Sequence, residues 1–495
     1  MIAELEKLTD LGAAMIHQAD AAGTSLIWRA QVRSARHVLV RNGKAENSSA
    51  SSIAGHGVQV LTAAGHAALA SRDDFRPEPA LKLLRRAIET AGRGPELQMN
   101  AGYADALVPT RGRSVPEGIE ALLTVDLDGA ARRLAEIERE ICAAVPGTSV
   151  RISFRAELDA WRIFRSDGTD VLFAMPRCTV GVRATSASDG SKHGVSAAVS
   201  SPRPDMLWDD AKVALLISRA LSAARLARDL PHAPVHEAGS FPLVIDYALA
   251  KGLAHEAFGH ASEADSYRSS VLARDGRFRA GDRVGASHVS IIDEPVEDDH
   301  AWQPYSANGL PRQRALIVDH GRLVDGLSDP WSAKAGGVRV TGAARAESFR
   351  HAPQPRMTNI RIEVDDPLPA PGTFEEYGPG QVRDLLDNAG VFRRHESVCF
   401  LSGYSGGQVN PASGDFVFNC KAIYRLGGHG IVLHRPAIFS GSMFGALNRV
   451  REAFGPLKLD AIGYCGKWGQ SVPSSGGSHY FLMLDPDPTV RLGGR

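Results

Sequence analysis

Two histidines and a glutamate lie close together in the segment His255-Glu256-Ala257-Phe258-Gly259-His260. Imidazole nitrogens are common zinc ligands, and a glutamate beside the first ligand can act as a general base toward the water that the metal activates. The segment therefore predicts a hydrolytic zinc site, with His255 and His260 as ligands and Glu256 as the catalytic base. The alternative is that three unrelated polar residues lie on the exposed face of a helix.

The spacing of the two histidines predicts a distorted helix. At about 100° per residue, histidines four residues apart share one face of a helix, but an offset of five residues turns the second ring about 140° away from the first. Both rings can bind one ion only if the backbone is locally unwound, for example by a π-bulge. Gly259, directly before the second histidine, lowers the cost of such a distortion.

The residues around the segment favour the metal interpretation. An apolar stretch at 241–245 predicts a strand, and Asp246 is a suitable cap for a helix that follows it. This helix has a largely apolar body, formed by Ala248, Leu249, Leu253, Ala254, Ala257 and Phe258. A buried helix that carries two histidines and a glutamate inward needs partners for them, and a metal ion satisfies them together.

The identity of the third metal ligand does not follow from residue chemistry alone. Catalytic zinc usually has three protein ligands and one free position. Glu263 and Asp265 are nearby candidates, whereas Cys465 is a distant one, flanked by glycines that allow a close backbone approach. The residues alone do not choose between Cys465 and Glu263.

The composition is that of a globular protein with more than one domain. The chain has 495 residues, of which 43% are hydrophobic and 23% are charged, and two or three domains are expected. Basic and acidic residues number 56 each, so we expect neither nucleic acid nor a membrane surface as the main partner. No apolar run is long enough to cross a bilayer, and residues 1–7 do not resemble a signal peptide. Five scattered cysteines predict a reduced, cytoplasmic protein without a disulfide framework.

The pattern of strands and helices predicts an α+β protein with three parts. Residues 20–95 and 96–230 are predicted to be two α/β subdomains, each with a β-hairpin whose turn contains Asn42-Gly43 or Asp167-Gly168. Residues 231–239 are predicted to be a linker. Residues 235–495 are predicted to form a β-rich domain that carries the metal-binding helix. Helices are expected at 80–90, 128–143 and 209–228, and C-terminal strands at 315–318, 323–324, 360–364, 416–418 and 431–433.

Several further segments resemble one family, the TldD/PmbA metallopeptidases, and specifically their TldD-type subunits. They occur in the family's order and cover the C-terminal half well, whereas the N-terminal half matches more loosely. The segments are the histidine motif with Glu263 and Asp265, Pro355-Arg356-Met357-Thr358-Asn359, Gly406-Gly407-Gln408-Val409, Ser413-Gly414-Asp415-Phe416-Val417-Phe418, and Leu457-Lys458-Leu459-Asp460 running into Cys465-Gly466-Lys467-Trp468-Gly469-Gln470.

The resemblance implies a function and a ligand set. It implies zinc held by His255, His260 and Cys465, with Glu256 as the base and Glu263 as a carboxylate that supports a ligand or ends the helix. Members of this type are cytoplasmic peptidases that act on unfolded or extended peptides, and some mature small ribosomally made peptides. Some form a heterodimer with a PmbA-like (TldE) subunit that lacks the metal motif. We therefore expect a peptide substrate and assembly either as a homodimer or with such a subunit.

Two segments depart from the family pattern. Residues Ser306-Ala307-Asn308 stand where a more acidic segment is expected, and Trp468 stands where an acidic residue is common. If those carboxylates contact the substrate, the specificity of this chain differs from that of its relatives.

Residues that contact the substrate are also predicted. Gly406, Gly407 and Gln408 are expected at a strand edge that accepts an extended peptide, although turns and bulges explain these glycines equally well. Tyr404 and His429 are candidate oxyanion donors, and a structural role is favoured for each.

Three other functions compete with the peptidase. A non-catalytic PmbA-like partner subunit is disfavoured because the histidine motif is complete. A zinc amidohydrolase acting on a modified peptide would use the same ligands and base. A structural zinc site would need a fourth protein ligand, for which Glu263 is the obvious candidate.

Overall fold

The structure is a computed structural model that describes residues 1–93, 107–188, 191–428 and 430–493. The predicted boundary between residues 95 and 96 and the candidate donor His429 lie outside the described residues. Within the described part of the chain, no helix is long and apolar enough to cross a membrane.

Strands from both predicted N-terminal pieces form one mixed sheet. In the described residues it has seven strands in the order β3-β2-β1-β5-β6-β4, with β7 also paired to β6. The strands are β1 (Thr24–Arg41), β2 (Lys44–Thr62), β3 (Ala67–Arg72), β4 (Arg111–Ser114), β5 (Ser149–Arg165), β6 (Asp170–Ser188) and β7 (Ser191–Ser201).

Both predicted hairpins are confirmed, and they are longer than expected. The β1–β2 hairpin turns at Asn42 and Gly43, which have positive φ angles of 53° and 71°. The β5–β6 hairpin turns next to Gly168, with φ of 90°. Strand β1 pairs antiparallel with β5, so the two hairpins lie side by side in the sheet.

Helices cover one face of this sheet. They are α1 (Ile2–Glu6), α2 (Thr9–Ala21), α3 (Pro77–Ala91), α4 (Leu127–Ala144), α5 (Pro204–Leu207) and α6 (Asp210–Asp229), with short 3-10 turns at Ile119–Leu122 and Leu230–His232. The three helices predicted in this half are confirmed as α3, α4 and α6. Trp28 packs in the core beneath the helices, whereas its neighbour Ile27 lies in a second cluster with Phe349 of the C-terminal half. The alternation of strand side chains thus buries both faces.

The C-terminal half is built on a larger mixed sheet. In the described residues it has 13 strands, in the order β13-β12-β11-β16-β23-β8-β17-β18-β20-β24, with β19 on β18 and with β21 and β22 on β23. The strands of this half are β8 (Leu243–Asp246), β9 (Ala273–Arg274), β10 (Arg277–Phe278), β11 (Val289–Glu294), β12 (Ala315–Asp319), β13 (Arg322–Leu323), β14 (Ala344–Arg345), β15 (Gln354–Pro355), β16 (Asn359–Val364), β17 (Ser397–Asn410), β18 (Asp415–Gly427), β19 (Gly430–His434), β20 (Ile438–Ser442), β21 (Val450–Lys458), β22 (Gly463–Lys467), β23 (Gln470–Leu484) and β24 (Val490–Leu492). Strands β9 and β10, and likewise β14 and β15, form small hairpins that are separate from the large sheet.

Few helices interrupt this half, as predicted for a β-rich domain. They are α7 (Tyr247–Gly252), the π-helix Leu253–Gly259, α8 (Pro330–Gly336), α9 (Pro379–Asn388) and α10 (Met443–Asn448), with 3-10 turns at His260–Ser262, Ala264–Ser266, Phe374–Glu376 and Val391–Arg393. Both halves mix helices with sheets, and the α+β class is confirmed.

Candidate metal centre

The histidine segment lies on a distorted helix that follows a central strand. Strand β8 ends at Asp246, whose carboxylate accepts a hydrogen bond of 2.9 Å from the backbone N–H of Leu249 and so caps α7. The helix then widens into the π-helix Leu253–Gly259 and ends as a 3-10 turn that begins at His260. The unwinding predicted from the five-residue spacing is confirmed.

Glycine is required at position 259 for a different reason from the one predicted. Its φ of −58° is that of an ordinary helix, so the distortion does not use the conformational freedom of glycine. A Cβ atom at this position would instead lie 1.9 Å from Sδ of Met357 and 3.1 Å from Cδ1 of Ile360. Glycine is needed because the π-helix packs closely against buried side chains.

Three donor atoms from distant parts of the chain converge. Ligand atoms of His255, His260 and Cys465 lie within 4.8 Å of one another. The Cys465 Sγ atom is 3.5 Å from Nε2 of His260, and the two imidazole rings are nearly perpendicular, with centroids 5.1 Å apart. Cys465 reaches this place on β22, which pairs with β23, and β23 in turn pairs with β8.

Glu256 lies beside the converging donors. Its Oε2 atom is 3.9 Å from Nε2 of His260. The hydroxyl of Tyr404 donates a 3.1 Å hydrogen bond to the other carboxylate oxygen. Burial and the neighbouring Glu256 charge raise the pKa of Tyr404, so this hydroxyl stays a donor. Tyr404, a candidate oxyanion donor in the sequence, is thus hydrogen-bonded to the candidate base.

Glu263 contacts the opposite side of the His260 ring. Its Oε2 atom is 3.2 Å from Nδ1 of His260, and it accepts a 2.8 Å hydrogen bond from Nζ of Lys467. Lys467 also donates to both oxygens of Asp265, at 2.8 and 2.9 Å. A carboxylate on Nδ1 leaves Nε2 of His260 free to face Cys465, and such a contact orients a metal-binding imidazole.

The charges around the site shift the pKa values of all three candidate ligands. For His260, burial lowers the pKa, but the charges of Glu263 and Cys465 raise it well above its ordinary value. Burial alone would raise the pKa of Cys465, but the adjacent His260 and Arg356 bring it below its usual value, and the thiolate is the form that binds metal. For His255, burial followed by the charge of Lys251 lowers the pKa well below its ordinary value. The pKa of Asp265 is raised to about 6 by its burial, against the opposing charge of Lys467.

The residues present fit a zinc ion. Two imidazoles and a thiolate are a donor set that zinc prefers, and catalytic zinc uses three protein ligands. His255 is only 2% exposed, and its Nδ1 has no hydrogen-bond partner among the described residues. Buried polar atoms are rarely left unsatisfied, so a partner is expected for this ring.

The candidate centre opens onto a cleft of 1420 Å³ between the two halves. Residues from both halves line it, among them Val195 and Arg219 from the N-terminal half and Glu256 and His260 from the C-terminal half. The cleft gives the centre access to a ligand much larger than water.

The predicted substrate residues line this cleft. Gly406, Gly407 and Gln408 lie on its wall, where a bulge shifts the pairing of β17 with β18 between Tyr404 and Gly407. Strand β8 pairs with β17 only at Cys399–Leu401. Among the described residues, the following part of this β17 edge has no strand partner, so a bulge and an open edge occur at the same place.

The two departures from the family pattern lie in different environments. Asn308 is fully buried, its side chain accepts from Arg29 at 2.7 Å, and its carbonyl accepts from Arg165 at 2.8 Å. Ser306-Ala307-Asn308 therefore belongs to the contact between the halves and does not line the cleft. Trp468 does line the cleft.

One basic residue near the centre was missed in the sequence. Lys251, one helical turn before His255, is 5% exposed and donates to Oγ of Ser474 at 3.3 Å. Burial lowers its pKa, against the charges of Glu256 and Cys465. Arg356, for which the sequence left open a contact with a peptide terminus or a role in ordering a loop, is fully buried and donates to the carbonyl of Cys465. The four-residue spacing of Lys251 and His255 was the available signal, because it places both on one face of a helix.

Sequence comparisons identify relatives of the C-terminal half. The family profile described as PmbA/TldA metallopeptidase C-terminal domain matches residues 238–474. Metalloprotease MJ0996 from Methanocaldococcus jannaschii is 32% identical over 265 residues, 53% of each chain. A metalloprotease TldD homolog from Haemophilus influenzae is 27% identical over 66% of this chain and 64% of its own. The matches thus span between half and two thirds of these relatives.

Solved structures share the fold over nearly the full length. TldE from Thermococcus kodakarensis superposes with a TM-score of 0.76 at 13% identity, over 98% of this chain and 100% of its own. A putative modulator of DNA gyrase from Thermotoga maritima gives 0.71 at 14% identity, over 98% and 99%. On these matches, residues 238–474 are a C-terminal domain of the PmbA/TldA metallopeptidase type, and nearly the whole chain shares the fold of TldE.

Proposed function

We propose that this protein is a zinc-dependent peptidase that cleaves unfolded or extended peptides. The observation that carries the proposal is the convergence of His255, His260 and Cys465 within 4.8 Å, with Glu256 beside them at the wall of a large cleft. The relatives supply the reaction class, because several are named metalloproteases and the homolog from Saccharolobus solfataricus is named a zinc metalloprotease.

Each residue of the site has its own role in the proposed reaction. His255, His260 and Cys465 would hold a zinc ion, which would supply a Lewis acid for the peptide carbonyl and the attacking water. Glu256 accepts a proton on its carboxylate and returns it to the leaving amine. The Tyr404 hydroxyl, 3.1 Å away, fixes the orientation of that carboxylate. Glu263 holds the His260 ring through Nδ1, so that Nε2 faces the ion.

Cys465 is the better third ligand. Its sulfur belongs to the group of donor atoms within 4.8 Å, whereas Glu263 contacts the far nitrogen of His260 and is ion-paired with Lys467 at 2.8 Å. A closed structural site would need Glu263 as a fourth ligand. Three ligands and an adjoining cleft support a catalytic site instead.

Backbone pairing is the proposed mode of substrate binding. The edge of β17 beyond Leu401 has no strand partner among the described residues, and Gly406, Gly407 and Gln408 lie along the same cleft as Glu256. An extended peptide can add to such an edge through main-chain hydrogen bonds, with little dependence on its sequence. A small ribosomally made peptide, modified or not, is an expected substrate of this kind.

Assembly and location belong to the same proposal. The similarity to TldE and to TldD homologs supports a homodimer or a heterodimer with a PmbA-like (TldE) subunit. All five cysteines are free, which fits the cytoplasm. The complete donor set disfavours a non-catalytic partner role for this chain. A zinc amidohydrolase acting on a modified peptide would use the same residues, and the products of the reaction distinguish the two.

The test removes the base and one ligand separately. Purified variants are analysed for bound zinc by mass spectrometry and incubated with unfolded peptides, with and without a co-expressed partner subunit, and the products are identified by mass. Glu256→Gln should retain zinc and lose turnover by at least about a hundredfold, because the amide cannot accept the proton. Cys465→Ala should lose most of its zinc. Glu46→Gln, at an exposed carboxylate outside the cleft, is the matched control.

Each part of the proposal is contradicted by a different experimental outcome. Normal cleavage by Glu256→Gln would exclude this residue as the base. A fully metallated Cys465→Ala protein would transfer the third-ligand role to Glu263. Cleavage only in the presence of the partner would establish obligate assembly, and hydrolysis of a modified side-chain amide without backbone cleavage would favour the amidohydrolase.

A further inference from the structure

The tight turn that follows Cys465 contains an unusual residue. Lys467 pairs with Gln470 at the end of the β22–β23 hairpin, so Trp468 and Gly469 form a two-residue turn. Both have positive φ angles, of 48° and 77°. Hairpin turns of this kind favour Asn-Gly or Asp-Gly, because a bulky side chain at positive φ is sterically strained. An indole in the first position works against the folding of the hairpin.

The strained side chain is also exposed. Trp468 is 75% exposed, the largest value among the large apolar side chains that the structure describes. Burial in the core therefore does not offset the backbone strain at Trp468. Strain that packing within the protein does not explain is characteristic of positions that contact a ligand.

Trp468 lies where a substrate would pass. It lines the cleft that also contains Glu256 and His260. A chain of contacts connects the indole to the candidate centre: Nζ of Lys467 lies 5.4 Å from the ring centroid, and Lys467 bonds Glu263, which contacts His260. Trp468 is thus close to the metal-binding side of the cleft.

We propose that Trp468 forms a subsite that binds an aromatic side chain of the peptide substrate, close to the bond that is cleaved. This inference rests on the proposed peptidase function and adds a preference to it. Aromatic rings attract one another through stacked or edge-to-face contacts beyond simple burial. A glutamine side chain gains no such contact with the indole, so the subsite prefers phenylalanine to glutamine.

The experiment compares two peptides that differ at one position. Each is an unfolded peptide that the wild-type protein cleaves, with Phe or Gln next to the cleavage site, and kcat/KM is measured for the zinc-loaded protein. Trp468→Asn removes the indole but suits a positive φ. The ratio of kcat/KM for the Phe and Gln peptides should fall about two- to tenfold, because only the Phe peptide loses an aromatic contact, and the melting temperature should not fall. Trp468→Phe should retain the preference. Val432→Asn, at an exposed apolar residue outside the cleft, is the matched control.

A second readout separates this inference from the peptidase proposal. The Kd of the Phe and Gln peptides is measured in the Glu256→Gln protein from quenching of its intrinsic fluorescence. In the Glu256→Gln, Trp468→Asn double variant, which lacks this indole, the Kd is measured by isothermal titration calorimetry. If the wild-type protein cleaves no peptide but Trp468→Asn selectively weakens binding of the Phe peptide, the subsite stands and the peptidase proposal fails. An unchanged Phe-to-Gln ratio, an equal loss for both peptides, or a change only in oligomeric mass would overturn the subsite.

Discussion

His300 is a single residue whose burial links the stability of the protein to pH. It is 5% exposed, its ring packs edge-on against Tyr464 with centroids 5.6 Å apart, and both ring nitrogens lack hydrogen-bond partners among the described residues. Burial, followed by the charge of Arg177, lowers the pKa of His300 from 6.5 to about 3. The folded protein thus holds this imidazole neutral at a pH where the unfolded chain would protonate it.

Acid should therefore destabilise the protein through His300. Between about pH 6.5 and 3 the unfolded chain binds one more proton, so the free energy of unfolding falls as the pH falls, by up to about 1.4 kcal/mol per pH unit. His300→Phe removes this term. In metal-free protein unfolded with urea, the loss of stability between about pH 7 and pH 5 should be about 2 kcal/mol smaller in the variant. His17→Phe, at an exposed histidine, is the control, and equal losses in wild type and His300→Phe would refute the assignment.

At the same scale, residue type and spacing predicted the centre better than its surroundings. His255, Glu256 and His260 were identifiable because they are close in sequence and share one chemistry. Cys465 lies 205 positions from His260, and residue chemistry alone could not choose between it and Glu263. The role of Lys467 could not be predicted from the sequence either, because its contacts with Glu263 and Asp265 depend on the turn after β22.

At the scale of elements, the packing around the π-helix depends on one glycine. The absence of a Cβ at Gly259 makes room for Met357, which is fully buried against the π-helix. Gly259→Ala should cost about 1–3 kcal/mol of stability, as overpacking of a core does. It should also weaken zinc binding, because His260 is the next residue and moves with the displaced backbone.

The control for this prediction is an alanine placed where there is space. Gly380 lies in α9, and a Cβ there would meet no atom within 4 Å. Gly380→Ala should be neutral or slightly stabilising. Zinc affinity is measured by competition with a chelator, and stability by urea unfolding. A Gly259→Ala protein with parental affinity and stability would show that the π-helix tolerates a side chain at this position.

Elements with a clear local signal were predicted, and those that depend on distant partners were not. The hairpins at Asn42-Gly43 and Gly168 have turn residues that act locally. Helix α6 begins at a local side-chain cap, in which Asp209 accepts from the N–H of Lys212 at 2.7 Å. Strand β23 was missed because its first residues, Gln470 to Ser478, are rich in glycine and serine. It becomes a strand by pairing with β8, β16, β21 and β22, which no local pattern reveals.

At the scale of the whole molecule, the cleft exists because the two halves are held together beside it. Arg219 on α6 is the central contact: its guanidinium donates to Glu375 at 2.8 Å, to Asp460 at 2.7 Å and to the carbonyl of Ala198 at 2.9 Å. The carboxylates lie 156 and 241 positions away in the chain. The sequence predicted a C-terminal domain separate from two N-terminal subdomains, but it contained no signal for this contact or for the cleft that it borders.

Replacing Arg219 should therefore loosen the molecule at the cleft. Arg219→Met leaves the half-buried Glu375 with Lys458 as its remaining partner. We expect a loss of about 1–2 kcal/mol, between the values for a buried and an exposed ion pair, because Asp460 is 41% exposed. Hydrogen exchange should increase in β7 and α6 and remain unchanged around β8. Arg203→Met breaks the exposed pair with Asp205 within the N-terminal half, and it should change neither quantity. If Arg219→Met unfolds with parental stability and exchange, the two halves are held by their other contacts, among them the hydrogen bonds of Arg29 and Arg165 to Asn308 and the cluster that Ile27 and Phe349 share.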